Sequence, residues 1–291
     1  GGKPSKGIYH CTLNLKTGRL SESELAAEIG RPGFLAMHPN GQHIYAVGSL
    51  EGEAVVAAYE IKKTKGKATL SFQNAVEIGD GGAAHVSIDS TGRTILTAQY
   101  GAGSTAVFSV NKDGSIKERT QIVKHGAGSK VTGTRQNASH AHWTGFSPDE
   151  RFAFVPDLGM DKVVIYEVDT AKSKVEQHGY GVVPPGGGPR HMKFHTNAKW
   201  AYVLNELDLS ITHFDYDAKA GTMTANETVL TVPKDELEKE KFKSCSEIRV
   251  HPSGRFVYAA NRGHDTVTVF RVDQSTGKLT FVERENVRAA T

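Results

Sequence analysis

The chain has 291 residues, of which 38% are hydrophobic and 23% charged, and its formal net charge is +3 at pH 7. This balance argues against a nucleic-acid partner, which would require clustered Lys and Arg, and no apolar run reaches the roughly 18 residues of a membrane helix. The two cysteines, Cys11 and Cys245, lie far apart and without CxxC spacing. They argue against a disulfide framework or a zinc site, and both are expected to be reduced, buried thiols.

The predicted elements in chain order are short strands joined by tight turns. A hairpin over residues 7–29 comes first. Five segments then read apolar strand, turn, apolar strand, and each is followed by a second hairpin. We name the four strands of such a unit a, b, c and d. The a–b turns close at equivalent positions that are 51, 58, 48 and 56 residues apart: Gly41, Gly92, Glu150, Ala198 and Gly254.

Strand c carries an aromatic residue near its middle, in phase with the turns. These residues are Tyr9, Tyr59, Phe108, Tyr166, Phe214 and Phe270. Four short antiparallel strands per unit of roughly 50 residues are typical of a β-propeller. The fold class is therefore predicted to be all-β, and the charged segment over residues 233–242 is expected to be a solvated helical turn or loop between blades.

The count of hairpins is uneven, with six c–d hairpins but five a–b hairpins. A closed ring needs equal numbers, because an open one leaves unpaired sheet edges. We therefore expect residues 1–291 to form a single β-propeller domain that lacks C-terminal blade material, with about one further blade beyond Thr291.

Polar side chains gather where strand a begins and strand b ends, which is the same end of each a–b hairpin. Such residues either bind a ligand or satisfy one another between blades. Asp157 and Asn205 favour the scaffold interpretation because they end apolar strands. Arg190, Glu206 and Arg262 favour a site, because long charged side chains near a channel are costly unless they are used or paired. The turn histidines are predicted to be structural: His38, His195 and His251.

The same stretches resemble the lactonase family of seven-bladed propellers, which includes bacterial propeller-type 6-phosphogluconolactonases and fungal carboxymuconate cyclases. The matching motifs are His140-Ala141-His142 and residues 156–161, 188–191, 204–207, 246–252 and 261–265. The resemblance implies a seven-bladed propeller, usually with further blades after the last match. By analogy with the cyclase it implies four catalytic residues: His142, Arg190, Glu206 and Arg262. The residues expected to bind substrate beside them are His85, His191, Asn205, Glu247, Asn261 and His264.

Lactone hydrolysis requires a general base for water, a donor to the oxyanion and cationic groups for an anionic substrate. Arg190 and Arg262 suit the anion, whereas either His142 or Glu206 is the base. No GxSxG motif occurs, so an acyl-enzyme is not expected.

The predicted reaction is hydrolysis of 6-phosphoglucono-1,5-lactone to 6-phosphogluconate. One alternative is the cyclisation of 3-carboxy-cis,cis-muconate to a lactone, and another is a non-catalytic binding or scaffold propeller. We expect a small anionic lactone as the partner, and neither a cofactor, a metal, a nucleic acid nor a membrane. A monomer in the cytoplasm is expected.

Overall fold

The computed structural model describes residues 5–64, 67–239 and 242–287. In this part of the chain, strands dominate, and the helices are one 3₁₀ turn, Gly133–Gln136, and one α-helical turn, α1, Lys234–Leu237. The strands are β1 (Gly7–His10), β2 (Glu24–Glu28), β3 (Gly30–Met37), β4 (His43–Leu50), β5 (Glu53–Thr64), β6 (Lys67–Glu77), β7 (His85–Ile88), β8 (Thr94–Gln99), β9 (Ser104–Val110), β10 (Ile116–Lys124), β11 (Gly145–Phe146), β12 (Phe152–Asp157), β13 (Lys162–Asp169), β14 (Lys174–Val182), β15 (Pro189–Phe194), β16 (Trp200–Asn205), β17 (Ser210–Asp217), β18 (Thr222–Leu230), β19 (Ser244–Val250), β20 (Phe256–Arg262), β21 (Thr266–Val272) and β22 (Leu279–Asn286).

Consecutive strands form five four-stranded antiparallel sheets, from β3–β6 to β19–β22, and β1 pairs with β2 in a two-stranded sheet. We number the five complete sheets as blades 1 to 5. The predicted all-β propeller architecture is confirmed, and α1 is the single helical turn expected near residue 233. The expectation of further blade material beyond Thr291 stays a prediction.

The aromatic residues of strand c occupy one equivalent position, as the repeat predicts. Opposite each of them the register shifts by one residue: Ala58 pairs with Asn74 but Tyr59 pairs with Phe72, so that Gln73 is left over. The same β-bulge on strand d recurs opposite the other five aromatic residues. Because the bulge lies at the same place in every unit, strand d bends in the same way in each, and the blades remain similar in shape.

The five a–b turns also share one backbone conformation. Their closing residues all have positive φ angles, between 58° and 71°, although two of them are Glu150 and Ala198 rather than glycine. The turn histidines are structural, as predicted. The Nδ1 of His195 accepts the Asn197 backbone N–H at 3.2 Å, and its Nε2 donates to the Gly254 carbonyl of the next blade at 2.7 Å. His38 and His251 likewise accept the backbone N–H two residues later.

The core lies between the faces of adjacent blades, where strands b and c contribute most of the fully buried side chains. Phe154 of blade 3, for example, is clustered with Val203 and Phe214 of blade 4. Cys245 is buried in the cluster between blades 4 and 5. The expectation that both thiols are buried is wrong for Cys11, which is exposed because it follows β1, where the chain leaves the two-stranded sheet.

The a strands line the central channel, and one set of equivalent side chains meets across it. His191 of blade 4 lies 6.3 Å from Phe34 of blade 1 and 5.7 Å from His85 of blade 2, measured between ring centroids. We call this set the transverse layer; its members are Phe34, His85, Trp143, His191 and Glu247. It separates a mouth side, where strand a begins, from a turn side, where the a–b turns lie. Within the described ranges, no helix is long and apolar enough to cross a membrane.

Candidate active site

Glu206 is the centre of an ionic cluster on the mouth side of the channel. It follows β16 directly, and its backbone N–H donates to the Gly188 carbonyl at 2.7 Å. Its side chain is 3% exposed and contacts three guanidinium groups. Oε1 lies 2.8 Å from Nη2 of Arg135 and 3.5 Å from Nη2 of Arg262, while Oε2 accepts a hydrogen bond from Nη1 of Arg190. We call these four residues the mouth cluster.

The backbone aims Arg190 at this cluster through a bulge. Pro189 pairs with Asn205 and His191 with Leu204, so Arg190 has no partner on β16. Bulges next to functional sites often redirect a side chain in this way. The Nε of Arg190 donates to the Ser246 carbonyl of the next blade at 3.1 Å, which fixes its orientation.

Arg262 ends β20 and is fixed in a similar manner. Its Nε donates to the Cys245 carbonyl at 3.1 Å, and its Nη2 donates to the hydroxyl of Ser244. Burial lowers the pKa of Arg262, and the neighbouring Arg190 lowers it further. The site therefore holds like charges close together in a partly dehydrated place.

The mouth cluster carries more positive than negative charge. Burial raises the pKa of Glu206, but Arg190 and Arg135 outweigh that effect and bring the value down to about 2. Glu206 is thus a carboxylate at neutral pH, and both of its oxygens are engaged by guanidinium groups. Three positive charges face one negative charge, which leaves an excess of two positive charges at the mouth.

His142 lies beside this cluster as a neutral imidazole. Burial lowers its pKa to about 3, with further lowering by Arg190 and His191. Its Nδ1 is buried and has no hydrogen-bond partner among the described residues. Its ring lies 5.2 Å from that of His191 and 5.6 Å from that of Tyr100. The unpartnered ring nitrogen is free to form a hydrogen bond with a water molecule, while burial and the neighbouring Arg190 keep the ring unprotonated.

Three of the predicted substrate-binding residues belong to the transverse layer. His191 Nδ1 lies 3.3 Å from Oε1 of Glu247, and Thr144 donates its backbone N–H to Nδ1 of His85 at 3.3 Å. Burial raises the pKa of Glu247, but the hydrogen bond and the charge of His191 bring it down to about 2. Through the contact between His191 and His142, this layer forms the floor beneath the mouth cluster.

Among the described residues, Asn205, Asn261 and His264 have no hydrogen bond to the mouth cluster. Each asparagine donates from Nδ2 to two hydroxyl groups of strand c in its own blade, at 2.8 to 3.1 Å. His264 Nε2 lies 2.9 Å from Oε2 of Glu236 in α1. Contacts within the scaffold thus engage His264 and the amide nitrogens of both asparagines, whereas Oδ1 of Asn205 is buried and has no partner among the described residues. The substrate-binding role of these three residues stays a prediction. Asp157 is likewise scaffold, as predicted: it accepts the backbone N–H of Gly159 at 3.1 Å.

Arg135 was not predicted from the sequence. It lies in the 3₁₀ turn between blades 2 and 3, and it reaches both Glu206 and the hydroxyl of Tyr100. Gln136 anchors this turn by donating to the Leu158 carbonyl at 3.0 Å. One feature of the sequence could have indicated this turn. The step between Gly92 and Glu150 is 58 residues, the longest between turn-closing residues, and it marks an insertion at the mouth end.

Comparison with known proteins agrees with this architecture. A family model described as "Lactonase, 7-bladed beta-propeller" matches residues 2–291. The chain belongs to the lactonase family of seven-bladed β-propellers. The predicted family and fold are thereby confirmed.

Among the relatives of this lactonase are two proteins named 6-phosphogluconolactonase. The one from Bacillus subtilis (strain 168) is 37% identical over 96% of this chain and 78% of its own length. The one from Formosa agariphila is 29% identical over 97% of this chain and 80% of its own. A solved structure of the Pseudomonas aeruginosa periplasmic gluconolactonase PpgL has a TM-score of 0.89 and 26% identity, and the match covers 99% of this chain and 81% of that one.

Proposed function

We propose that this lactonase hydrolyses 6-phosphoglucono-1,5-lactone to 6-phosphogluconate, with His142 as the general base. The broader statement, that the chain is an enzyme of the lactone hydrolase class, follows from its family and from relatives that carry the name 6-phosphogluconolactonase. The identity of the lactone and the roles of the residues are the proposal. The support for them comes from the charge and geometry of the mouth cluster.

The excess of two positive charges is the observation that carries the choice of substrate. Arg135, Arg190 and Arg262 share one carboxylate, that of Glu206. A phosphate monoester carries a charge of about −1.5 to −2 at pH 7, which matches this excess, and guanidinium groups bind phosphate through paired hydrogen bonds. An unphosphorylated sugar lactone is neutral and gains nothing from this charge.

The two candidates for the general base differ in their surroundings. Both carboxylate oxygens of Glu206 are engaged by guanidinium groups, so neither is free to accept a proton from water. His142 is neutral and has an unpartnered Nδ1. Burial is the largest cause of the low pKa of His142 and the charge of Arg190 is the next, and a bound anion offsets the charge of Arg190. Substrate binding therefore makes His142 more basic at the moment when a base is needed.

The reaction then balances without a covalent intermediate. His142 accepts a proton from water as the hydroxide attacks the lactone carbonyl carbon. The negative charge that develops on the carbonyl oxygen faces Arg190, while Arg135 and Arg262 hold the phosphate. When the ring C–O bond breaks, the imidazolium returns the proton to the departing ring oxygen. The products are the open-chain acid and the free imidazole.

The alternatives receive less support. The similar proteins described above are lactonases, which favours hydrolysis over muconate cyclisation. The family assignment argues against a scaffold without catalysis. A cytoplasmic location and a monomeric state stay predictions, and one related structure is described as periplasmic. Within the described ranges, no group of three or more His, Cys, Asp or Glu side chains is placed to hold a metal ion.

The test compares two lactones on the same enzyme. We expect kcat/KM for 6-phosphoglucono-1,5-lactone to exceed that for glucono-1,5-lactone by about 10²-fold or more, since each charge-assisted contact contributes about 1.5–3 kcal/mol. Both rates are measured above spontaneous hydrolysis. Arg262→Met should reduce this preference while leaving the unphosphorylated reaction nearly unchanged. Equal kcat/KM values for the two lactones would overturn the proposed substrate.

A further inference from the structure

A second cavity, open to solvent, lies in the channel on the turn side of the transverse layer, and we call it the turn-side chamber. It has a volume of about 610 Å³. Three members of the transverse layer line it, namely Phe34, His85 and Trp143, together with residues that lie nearer the a–b turns. None of the mouth-cluster residues lines it. The transverse layer separates the two spaces, so this chamber is distinct from the proposed active site.

The walls of the turn-side chamber are largely apolar. Trp143 presents its ring along β11, where a Cβ on Gly145 would overlap the indole. Gly145 therefore makes room for an aromatic face in the wall. Further apolar residues line it, among them Met37, Ile88, Phe146 and Phe194.

Lys193 brings a positive charge into these apolar walls. Its Nζ lies 4.7 Å from the centroid of the Trp143 ring. Among the described residues, it has no hydrogen bond or ion pair with an acid. Burial lowers the pKa of Lys193 to about 8, with Arg249 lowering it and Glu247 raising it. An ammonium group that is partly dehydrated in this way gains strongly from an anion placed next to it.

Arg249 stands at the rim of the same chamber. Its Nη2 lies 3.2 Å from Oε2 of Glu247, and its side chain is 63% exposed. Glu247 is shared with His191 of the transverse layer. Glu150, on the opposite rim, accepts the backbone N–H of Ser90. The acids near the chamber thus form their contacts with other groups. The charge of Glu247 acts on Lys193, but among the described residues no acid forms an ion pair with its ammonium group.

We infer that the turn-side chamber binds a small organic monocarboxylate with an apolar body, with its carboxylate between Lys193 and Arg249. One unpaired ammonium group matches one carboxylate charge. The aromatic and aliphatic walls match a ring or a short alkyl chain, since ligand sites are mostly apolar with a few placed polar groups. The lysine and arginine donate hydrogen bonds to the carboxylate oxygens.

Benzoate and hexanoate are suitable probes, and their binding is followed by isothermal titration calorimetry and by tryptophan fluorescence, to which Trp143 contributes. We expect saturable benzoate binding with a Kd on the order of 1 mM or tighter. Lys193→Met should weaken it about tenfold or more, because it removes the charge-assisted contact and keeps the apolar stem. Lys193→Arg should retain binding, which separates loss of charge from loss of folding.

Lys162→Met is the matched control. Lys162 Nζ also lies 4.7 Å from an aromatic centroid, that of Tyr180, but it does not line the chamber. Benzoate affinity should be unchanged in this variant and in Arg262→Met, which alters the mouth cluster. The readout is binding, so it is independent of lactone hydrolysis.

Three results would overturn the inference. The first is the absence of saturable benzoate binding to the wild-type protein up to 10-fold above the expected ~1 mM Kd. The second is unchanged affinity in Lys193→Met, or affinity lost in Arg262→Met instead, which would place benzoate at the mouth. The third is inorganic phosphate displacing benzoate at equal concentration, because phosphate has no apolar body to fill the chamber.

Discussion

The hydroxyl oxygen of Tyr100 accepts two hydrogen bonds from Arg135, at 2.9 Å from Nη2 and 3.1 Å from Nε. This contact joins the end of strand b in blade 2 to the connection that leads into blade 3. It also orients the guanidinium group so that Nη2 donates a hydrogen bond to Glu206. The Arg135 side chain is nevertheless 43% exposed, compared with 15% for Arg190. Arg135 is thus the most accessible of the three arginines for a phosphate group that approaches from solvent.

Arg135→Met should therefore raise KM for the phosphorylated lactone about 10- to 100-fold while kcat changes little, because a contact with a remote phosphate stabilises substrate and transition state equally. Tyr100→Phe, which removes the acceptor and keeps the charge, should have a smaller effect in the same direction. Steady-state kinetics at one pH measures both variants, with Arg93→Met at the turn end as a control. A fall in kcat at unchanged KM would place Arg135 at the reacting atoms instead.

Glu206→Gln should lower the free energy of unfolding by about 3 kcal/mol, because three buried or half-buried guanidinium groups lose their shared counter-ion. Denaturant unfolding measures this change, and Glu167→Gln, at an exposed position of β13, should stay within about 0.5 kcal/mol of the wild type. Added sulfate should stabilise Glu206→Gln more than the wild type. A Glu206→Gln protein as stable as the wild type would show that the carboxylate does not balance the arginines.

Stability should also depend on pH through His142. Burial, with Arg190 and His191, lowers its folded pKa to about 3, below the value of about 6.5 expected in the unfolded chain. The folded state therefore prefers the neutral ring, and the resulting stability is lost as pH falls from about 6.5 toward 3. The free energy of unfolding should fall between pH 7 and pH 4 in both proteins, and the fall should be smaller in His142→Phe by on the order of 2–3 kcal/mol. Denaturant unfolding at several pH values measures this difference. The same dependence of the unfolding free energy on pH in both proteins would contradict the low pKa of His142.

The shared left-handed turn position allows a paired test. Ala198 has φ of 60°, so Ala198→Gly should raise the free energy of unfolding by about 0.5–1 kcal/mol through relief of backbone strain. Gly41→Ala should lower it by about 1 kcal/mol, and nothing lies within 4 Å of the added Cβ to complicate the result. Thermal and denaturant unfolding measure both. Destabilisation by Ala198→Gly would mean that entropy of the unfolded chain outweighs the strain.

Much of the fold could be predicted because each unit repeats the same chemistry. The spacing of Tyr59, Phe108 and their equivalents located strand c, and the structure places the same bulge opposite each of them. The turn histidines were also recognisable, because a His-x-Asn or His-x-Ser turn uses Nδ1 locally and leaves Nε2 free for the next blade. These features depend only on local sequence and on the spacing of the repeats, and both can be read from a single sequence.

The candidate site was only partly predictable, because side-chain direction does not follow from position alone. Arg190, Glu206 and Arg262 meet as the equivalence of strand ends suggests. Asn205 and Asn261 occupy the adjacent position, where side chains point to strand c of the same blade and are used there. Arg135 lies outside the repeat, so only contact in three dimensions identifies it.

The position of Glu206 has a consequence for the motions of the whole mouth. In a propeller, a blade normally packs against its two neighbours, so that local opening of one blade need not reach the others. Glu206 contacts Arg135 from the connection before blade 3 and Arg262 from blade 5, on either side of its own blade. Amide protons of the 3₁₀ turn and of the end of β20 should therefore exchange with solvent in step with those near Glu206. The mouth then opens and closes as one cooperative unit, although its parts are separated by more than a hundred residues of chain.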